Sequence, residues 1–521
     1  MANERTSAMG GAAGLAPMAG VGLAVTSVAL ALGTFMQVLD ATIANVSVPT
    51  IAGNLGVSPD QGTWVITSFA VANGVSVPLT GWLMGRYGVV RTFVASVILF
   101  TLASLLCGLS WNLPSLIAFR VLQGAVSGPM IPGSQALLIM IFPPKQRGTA
   151  LAIWSMTTLV APVCGPILGG YICDNFVWPW IFLINVPVGA VCAFLCWRGM
   201  ASRETPTRKA PVDTTGFMLL LVWVGALQVL LDTGKDADWF SSPAIVVEAL
   251  VALAGFVAWV IWELTEKNPI VDLSLFRSRN FAMGTGVLCI GYAVFFGNNL
   301  LLPLWLQTHL GYIATWAGLV VAPSGVVAVF LTPFAARLMN QVDARWTASL
   351  AMAAFALSFF MRSGYTPDVD FKGLVLPMLV QGAAMSVFFV SMITLALNGV
   401  PSDQIPQASG LTNFGRITAG SFAASISTTV WDRGEAVHQT RLAEVMGAAD
   451  PSWALAVDKL RHAGLSLSQA VGAIDQQVVN QAYFLSSIDF FRVSAWIMAA
   501  MVPCVWLTSR ALAAGASHAA D

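Results

Sequence analysis

Asp40 and Arg120 are the residues whose positions most need a chemical explanation. Asp40 is the single ionisable residue in an apolar run from Gly20 to Thr50 that otherwise suits a lipid-spanning helix. An ionised Asp near the bilayer centre costs about 3 kcal/mol on insertion scales, so a helix keeps one where it faces a partner or a water-filled cavity. A coupling-ion site is one reading; a carboxylate hydrated near an interface, or one that pins helix packing, is the other. Gln37, Thr42, Asn45 and Ser47 add polar groups to the same run, which suit a bundle rather than acyl chains. Arg120 interrupts a second apolar run. Asp40 lies about ten residues from the outer end of its span and Arg120 about six, so at 1.5 Å per residue both belong to the outer half of the membrane. Their depths are close enough for the long Arg side chain to bridge. A neighbouring guanidinium favours the charged carboxylate and desolvation favours the neutral acid, so alternating hydration can load and release a proton. A fixed ion pair between helices is the alternative.

The elements that hold these residues follow from composition. A hydrophobic fraction of 57%, only 10% charged residues and a mean hydropathy of +0.76 define an all-α, multi-span membrane protein and exclude soluble folds. Formal net charge is zero, which implies no nucleic-acid partner. The seven cysteines lie in or beside apolar runs without clustered His, fitting neither zinc nor disulfides. The first apolar run is too long for a signal-peptide core and reads as an uncleaved helix.

Apolar runs of at least about eighteen residues give about fourteen spans. They cover 20–48, 62–84, 90–110, 114–141, 149–171, 178–198, 215–232, 243–264, 281–303, 314–335, 346–363, 373–397, 408–430 and 488–510. One set of alternate loops carries Arg86, Arg91, Lys145, Arg147, Arg198, Arg203, Arg208, Lys209, Lys267, Arg277, Arg279, Arg337 and Arg345; the other has only Lys235, Arg362 and Lys372. By the positive-inside rule the first set is cytoplasmic, as are both termini. The polar stretch Trp431 to Ser487 then lies outside the cytoplasm. Within it Ala470, Val471, Ile474 and Val478 fall on one helical face, either a docking surface or a hairpin packing on its own protein.

Leu122-Gln123-Gly124-Ala125 recurs as Val380-Gln381-Gly382-Ala383, 258 positions from Gln123 to Gln381. The same offset carries Asp40 to Asn298, Arg120 to Met378 and Arg86 to the basic loop at 344. The chain divides into a tail over 1–19, a six-helix half over 20–198, a linker with two inserted spans over 199–280, a six-helix half over 281–510 that includes the loop 431–487, and a tail over 511–521. Parallel halves of this kind are a transporter architecture with the substrate path at their interface near mid-membrane. The first half keeps ionisable groups at positions where the second has none, which places proton chemistry in the first and neutral and aromatic cargo contacts in the second.

These motifs resemble the major facilitator superfamily, specifically its fourteen-span drug:proton antiporters. Leu39-Asp40-Ala41-Thr42-Ile43-Ala44-Asn45-Val46 is similar to the group's first-helix motif, and Arg120 with Gln123-Gly124 to its fourth-helix motif. Gly165-Pro166-Ile167-Leu168-Gly169-Gly170 resembles the antiporter motif of helix five, and Asp213-Thr214-Thr215-Gly216 the lead into helix seven. Gln61 to Ser68, Trp262-Glu263-Leu264 and Asn268 to Phe276 resemble the EmrB subfamily. The resemblance implies a major facilitator fold, proton transfer at Arg120, and work with a periplasmic adaptor and an outer-membrane channel.

Ala161, Gly165 and Gly169 recur every four residues and form a smooth helical face, where either a seal against proton leak or ordinary small-residue packing is expected. Gly81 to Gly88, with Arg86 and Arg91, resembles the superfamily's cytoplasmic gating loop, but Gly85 replaces its usual Asp. Arg86 and Arg91 therefore serve topology first and gating second. Arg416 is either an interface anchor or a second cavity charge. Trp64, Asn73, Asn298, Asn299, Gln381 and Asn413 are candidates for the substrate cavity.

No catalytic triad, phosphate-binding loop or metal cluster is present in the sequence, so no enzyme activity and no cofactor is expected beyond the proton as coupling ion. The expected function is proton-driven efflux of hydrophobic or amphipathic compounds across the inner membrane. A proton-coupled metabolite importer and a non-transporting membrane scaffold are the alternatives.

Overall fold

The structure, a computed structural model, describes residues 17–510 apart from 58, 144–145, 208–212, 236, 268, 313, 340, 402–403 and 446–450. The expected tails over most of 1–19 and over 511–521, together with Lys145, Arg208, Lys209 and Asn268, fall outside the described residues, as do the side chains of Asn45 and Pro166.

The described chain is helical. In order the helices are α1 (Gly20–Leu55), α2 (Pro59–Ser76), α3 (Thr80–Tyr87), α4 (Val89–Gly108), α5 (Leu113–Ser127), α6 (Met130–Ile141), α7 (Arg147–Asn175), α8 (Trp180–Leu183), α9 (Asn185–Met200), α10 (Thr214–Thr233), α11 (Pro243–Thr265), α12 (Arg279–Thr308), α13 (Ala314–Met339), α14 (Ala344–Arg362), α15 (Phe371–Ala396), α16 (Ile405–Val445), α17 (Pro451–His462) and α18 (Leu467–Val505).

Among the described residues twelve helical segments are long and apolar enough to cross a membrane, with α5 and α6 acting as one and α8 and α9 as another, and α2 with α3, bent by 57°, make a thirteenth. The count falls one short of the expected fourteen because α16 is more polar than the other spans. The reason is its position: Ser409, Thr412, Asn413, Arg416, Ser425 and Ser427 on α16 are all buried, so its polar groups face the protein rather than lipid. The stretch from 373 to 430 does divide into two helices, α15 and α16.

Several helix ends are set by short polar side chains satisfying amides that have no intrahelical acceptor. Asn112 and Ser115 form a reciprocal cap on α5, and Asp370 accepts from the Gly373 amide at the start of α15. Asp213 caps α10 by accepting from Gly216 N and also accepts from Trp262 Nε1 of α11, joining two of the motifs noted in the sequence.

The repeated Gln-Gly pair has a packing cause. A Cβ on Gly124 of α5 would strike the Phe69 carbonyl and Ala72 of α2; one on Gly382 of α15 would strike the Ser324 carbonyl and Val327 of α13. Each half thus presses its fourth span onto its second at the same repeat glycine. Helices α10 and α11 pack on each other at the seam where α2 and α16 meet, through Val224 on Gly74 and the Trp223 ring against Phe414. Across the seam α7 also packs on α13 and α15, and α6 on α16.

The stretch 431–487 is largely continuous with the spans. Helix α16 runs on to Val445, and α18 begins at Leu467, twenty residues before the end of the expected loop. Ala470 and Ile474 are buried with Val457 of α17, and Val478 packs beside them. That face is occupied by the protein's own α17. Val471 lies at the edge of that contact, beside Trp453 and Val457 of α17, and is partly exposed.

Candidate functional site

The structure brings Asp40 and Arg120 into direct contact. Arg120 Nη1 donates to Asp40 Oδ2 at 2.6 Å, with both side chains wholly buried. Two amides complete the carboxylate's shell: Gln123 Nε2 at 3.1 Å and Asn185 Nδ2 at 2.8 Å both donate to Asp40 Oδ1. Asn185 also donates to Ser104 Oγ at 3.0 Å. The cluster therefore ties α1 to α4, α5 and α9.

Arg120 is held by more than its carboxylate. Its Nε donates to the Val65 carbonyl of α2 at 2.9 Å and Nη1 to Gln123 Oε1 at 2.8 Å, while the guanidinium lies 4.2 Å from the Phe69 ring centre. Nη2 is buried without a hydrogen-bond partner. A buried ion pair is tolerable when hydrogen bonds satisfy the remaining donors and lone pairs. Here the neutral acceptors Val65 O and Gln123 Oε1 would remain on Arg120 if Asp40 took up a proton.

Other polar groups of α1 are satisfied locally. Thr42 Oγ1 donates to the Val38 carbonyl and Ser47 Oγ to the Ile43 carbonyl, whereas Gln37 Oε1 is buried without a partner. The smooth face of α7 meets α1 beside this cluster. A Cβ on Gly165 would overlap Thr42, and one on Gly169 would press on the Ile43 carbonyl, while Gly170 faces open space at its Cβ position. Ala161, Gly165 and Gly169 are buried, and Pro166 lies in the same helix. The small residues let α7 close on the segment directly following Asp40.

The gating-loop residues gather at the basic end. A Cβ on Gly81 would strike Gln407 of α16, so α3 touches the second half there. Gly88 has φ +94°, a region that disfavours side chains, and a Cβ on it would also collide with Glu204. Glu204 accepts from the amides of Val90 at 3.0 Å and Arg91 at 2.8 Å, supplying a carboxylate at the start of α4 although position 85 is Gly. The Arg91 side chain is 66% exposed and 3.9 Å from Glu204; Arg86 lies over the Trp82 and Tyr87 rings.

The six cavity candidates do not converge on one place. Trp64 is 42% exposed. Asn73 donates to Ser127 Oγ at 2.7 Å and joins α2 to α5. Asn298 donates to Ser494 Oγ at 2.9 Å, Gln381 donates to Asn299 Oδ1 at 2.9 Å, and both contacts lie inside the second half. Only Asn413 crosses the seam, donating to Gln135 Oε1 of α6 at 2.8 Å.

Two arginines require correction. Arg362, assigned by sequence to a loop, is wholly buried at the end of α14, where Nη2 donates to Gln381 Oε1. The second half has therefore not lost buried ionisable groups; it has lost the carboxylate. Arg416 is buried, with Nη2 donating to Asn413 Oδ1 at 3.0 Å, so it is an interior charge rather than an interface anchor.

Sequence reasoning also missed Asn185, Ser104 and Glu204. Asn185-Val186-Pro187, an amide beside a proline within the apolar run 178–198, was the available signal for the first. Among the described residues no group of three or more His, Cys, Asp or Glu side chains is placed to hold a metal ion.

The helical bundle, its repeat and the buried charge cluster define a major facilitator protein: residues 30–424 match the Major Facilitator Superfamily, and the chain belongs to it. Within that family it is 46% identical over 500 residues to the multidrug export protein EmrB of Escherichia coli strain K12, covering 96% of this chain and 98% of that one. It is 44% identical over 491 residues to the fatty acid resistance protein FarB of Neisseria gonorrhoeae, covering 94% and 97%. The fold is shared with the human organic anion transporter MFSD10, at TM-score 0.56, 14% identity and coverage of 91% and 99%. It is also shared with the proton:xylose symporter XylE, at TM-score 0.56, 13% identity and coverage of 92% and 96%.

Proposed function

We propose that this multi-pass membrane protein exports hydrophobic or amphipathic compounds across the inner membrane, driven by proton entry through Asp40 and Arg120. The observation that carries the reading is the buried Asp40–Arg120 pair with neutral acceptors in reserve at Val65 O and Gln123 Oε1. In one orientation of the halves Asp40 is ionised and holds Arg120. When the cluster is hydrated from outside, Asp40 takes a proton, Arg120 relaxes onto its neutral acceptors, and α1 is freed to move relative to α5 and α9. Return of the proton to the cytoplasm restores the pair. Rigid-body rocking of the two six-helix halves exposes cargo on alternate sides.

The basic loops support an orientation with the Arg86 and Glu204 end, and both termini, in the cytoplasm. The close approach of Gly165 and Gly169 to α1 supports a seal beside Asp40. The names of the relatives, multidrug export and fatty acid resistance, support apolar or amphipathic cargo. The extended ends of α16 and α18, with α17, form the surface for a periplasmic adaptor that leads to an outer-membrane channel; Leu455, Leu467 and Val471 are exposed there.

The test is efflux of hydrophobic dyes from proteoliposomes under an imposed pH gradient. Gradient-driven export by the parent, lost in Asp40→Asn with normal insertion, is the expected result. Equal export by both proteins would remove Asp40 from coupling, and no export by the parent would overturn the exporter reading.

A further inference from the structure

Arg416 is a buried cation with no counter-charge beside it among the described residues. Its Nη2 is taken by Asn413, Nε is buried without a hydrogen-bond partner, and among the described residues no Asp or Glu pairs with it. The guanidinium lies 5.6 Å from the ring centre of Trp154 on α7 and 5.0 Å from that of Tyr292 on α12. Asn413 passes the contact on to Gln135 of α6, whose own Nε2 is buried and unpartnered. One side of the seam thus offers a guanidinium N–H, the other an amide N–H, and neither has an acceptor.

A buried charge without a partner is strongly unfavourable, and an excess of donors around it calls for an anion rather than a cation or a neutral amine. Arg362 shares the lack of a counter-charge but is enclosed by the second half's own Phe359, Gln381 and Phe491, away from the seam. Arg416 alone of the two joins elements of both halves, where cargo passes in this architecture. The flanking Trp and Tyr rings would also accept an apolar body beside the charge.

We propose that Arg416, with Asn413 and Gln135, is the specificity site for organic acids: it binds the carboxylate or phenolate of an amphipathic monoanion whose apolar body lies against Trp154 and Tyr292. The anion's two oxygens accept from Arg416 Nε and Gln135 Nε2 and bridge the halves. This inference rests on the export reading above for its purpose, but binding itself can be measured without a gradient.

The experiment is equilibrium binding of octanoate and octyltrimethylammonium, matched in chain length and opposite in charge, to the purified full chain in nanodiscs at neutral pH. The parent should prefer octanoate. Arg416→Gln should weaken octanoate at least about tenfold, the scale of a lost charge-assisted hydrogen bond, and leave octyltrimethylammonium unchanged or tighter. Arg416→Lys, which keeps the charge but not the fork, should lose less, and Gln135→Leu should weaken octanoate while retaining the preference for anions. Retained binding of the ammonium probe reports that a variant is folded; if Arg416→Gln fails that check, Gln135→Leu and Arg416→Lys decide. Octanoate binding unaffected by the folded variants, or a parent that prefers the ammonium probe, overturns the proposal. Proteoliposome export then separates the two readings. Charge-selective binding with no gradient-driven export would sink the exporter alone, whereas undiminished export of octanoate by Arg416→Gln would sink this site alone.

Discussion

The two halves place the same kinds of group at equivalent depths but assign them to different helices. In the first half Arg120 on α5 reaches Asp40 and Gln123, with Ser104 on α4 nearby. In the second, the repeat offset carries Arg120 to Met378 and Ser104 to Arg362, so the guanidinium moves from the fourth span to the third yet still contacts the repeat glutamine, Gln381. Asp40 becomes Asn298, and each bonds a polar residue of its half's last span, Asn185 or Ser494. A cation paired with a carboxylate can respond to a proton; a cation fixed by amides and rings cannot. The comparison puts a cation–carboxylate pair in one half and a cation held by an amide and two rings in the other.

The basic end shows a related exchange. Glu204, arriving from beyond α9, binds the amides at the start of α4, whereas in the second half Asp343, the repeat-mate of Gly85, caps α14 itself. Asp343 accepts from Arg345 at 2.7 Å and lies 3.8 Å from Arg510, beyond α18. In both halves a carboxylate joins the third span to the chain leaving the sixth. The acid and its partner have changed sides.

The largest effect should come from removing one member of the first-half pair. Asp40→Leu leaves Arg120 buried and uncompensated, at a cost of about 3–5 kcal/mol. Arg362→Met in the second half should cost far less because no carboxylate is stranded. Thermal melting midpoints in detergent check both, and equal losses would erase the proposed distinction. Next in size, Gly124→Val and Gly382→Val should each destabilise by about 1–3 kcal/mol through overpacking against a neighbouring carbonyl. Here the halves should behave alike, with Gly170→Ala close to the parent in the same melts. The smallest effect is expected at the caps: Glu204→Ala should cost about 1 kcal/mol. Asp343→Ala, which also abandons Arg345, should exceed it. Reversal of that order in denaturation would mean that the caps are not equivalent.

Much of this arrangement is legible in the sequence. Asp40 and Arg120 stand out because a charge within an apolar run has few inexpensive environments, and the Gln-Gly repeat marks a helix crossing that only glycine permits. Arg362 was misread because a basic residue at the end of an apolar run, followed by Ser363-Gly364, has the pattern of a loop; chain position does not reveal that α14 ends inside the bundle. Asn185 and Ser104 carry no periodic signal, and Glu204 acts across 113 positions from Arg91. The run 408–430 reads as a span in the sequence, and α16 covers it although it carries many polar residues. Polar residues on an interior face lower hydropathy without lowering burial.

Helix α16 is a continuous element of 41 residues that carries Arg416 in its buried portion and ends at Val445 beyond the span. From Arg416 to its tip it extends about 44 Å at 1.5 Å per residue. A tilt of about 10° would therefore sweep that tip through roughly 8 Å by lever geometry. The projecting end is a mechanical pointer: its displacement reports outside the bilayer how the second half is leaning within it.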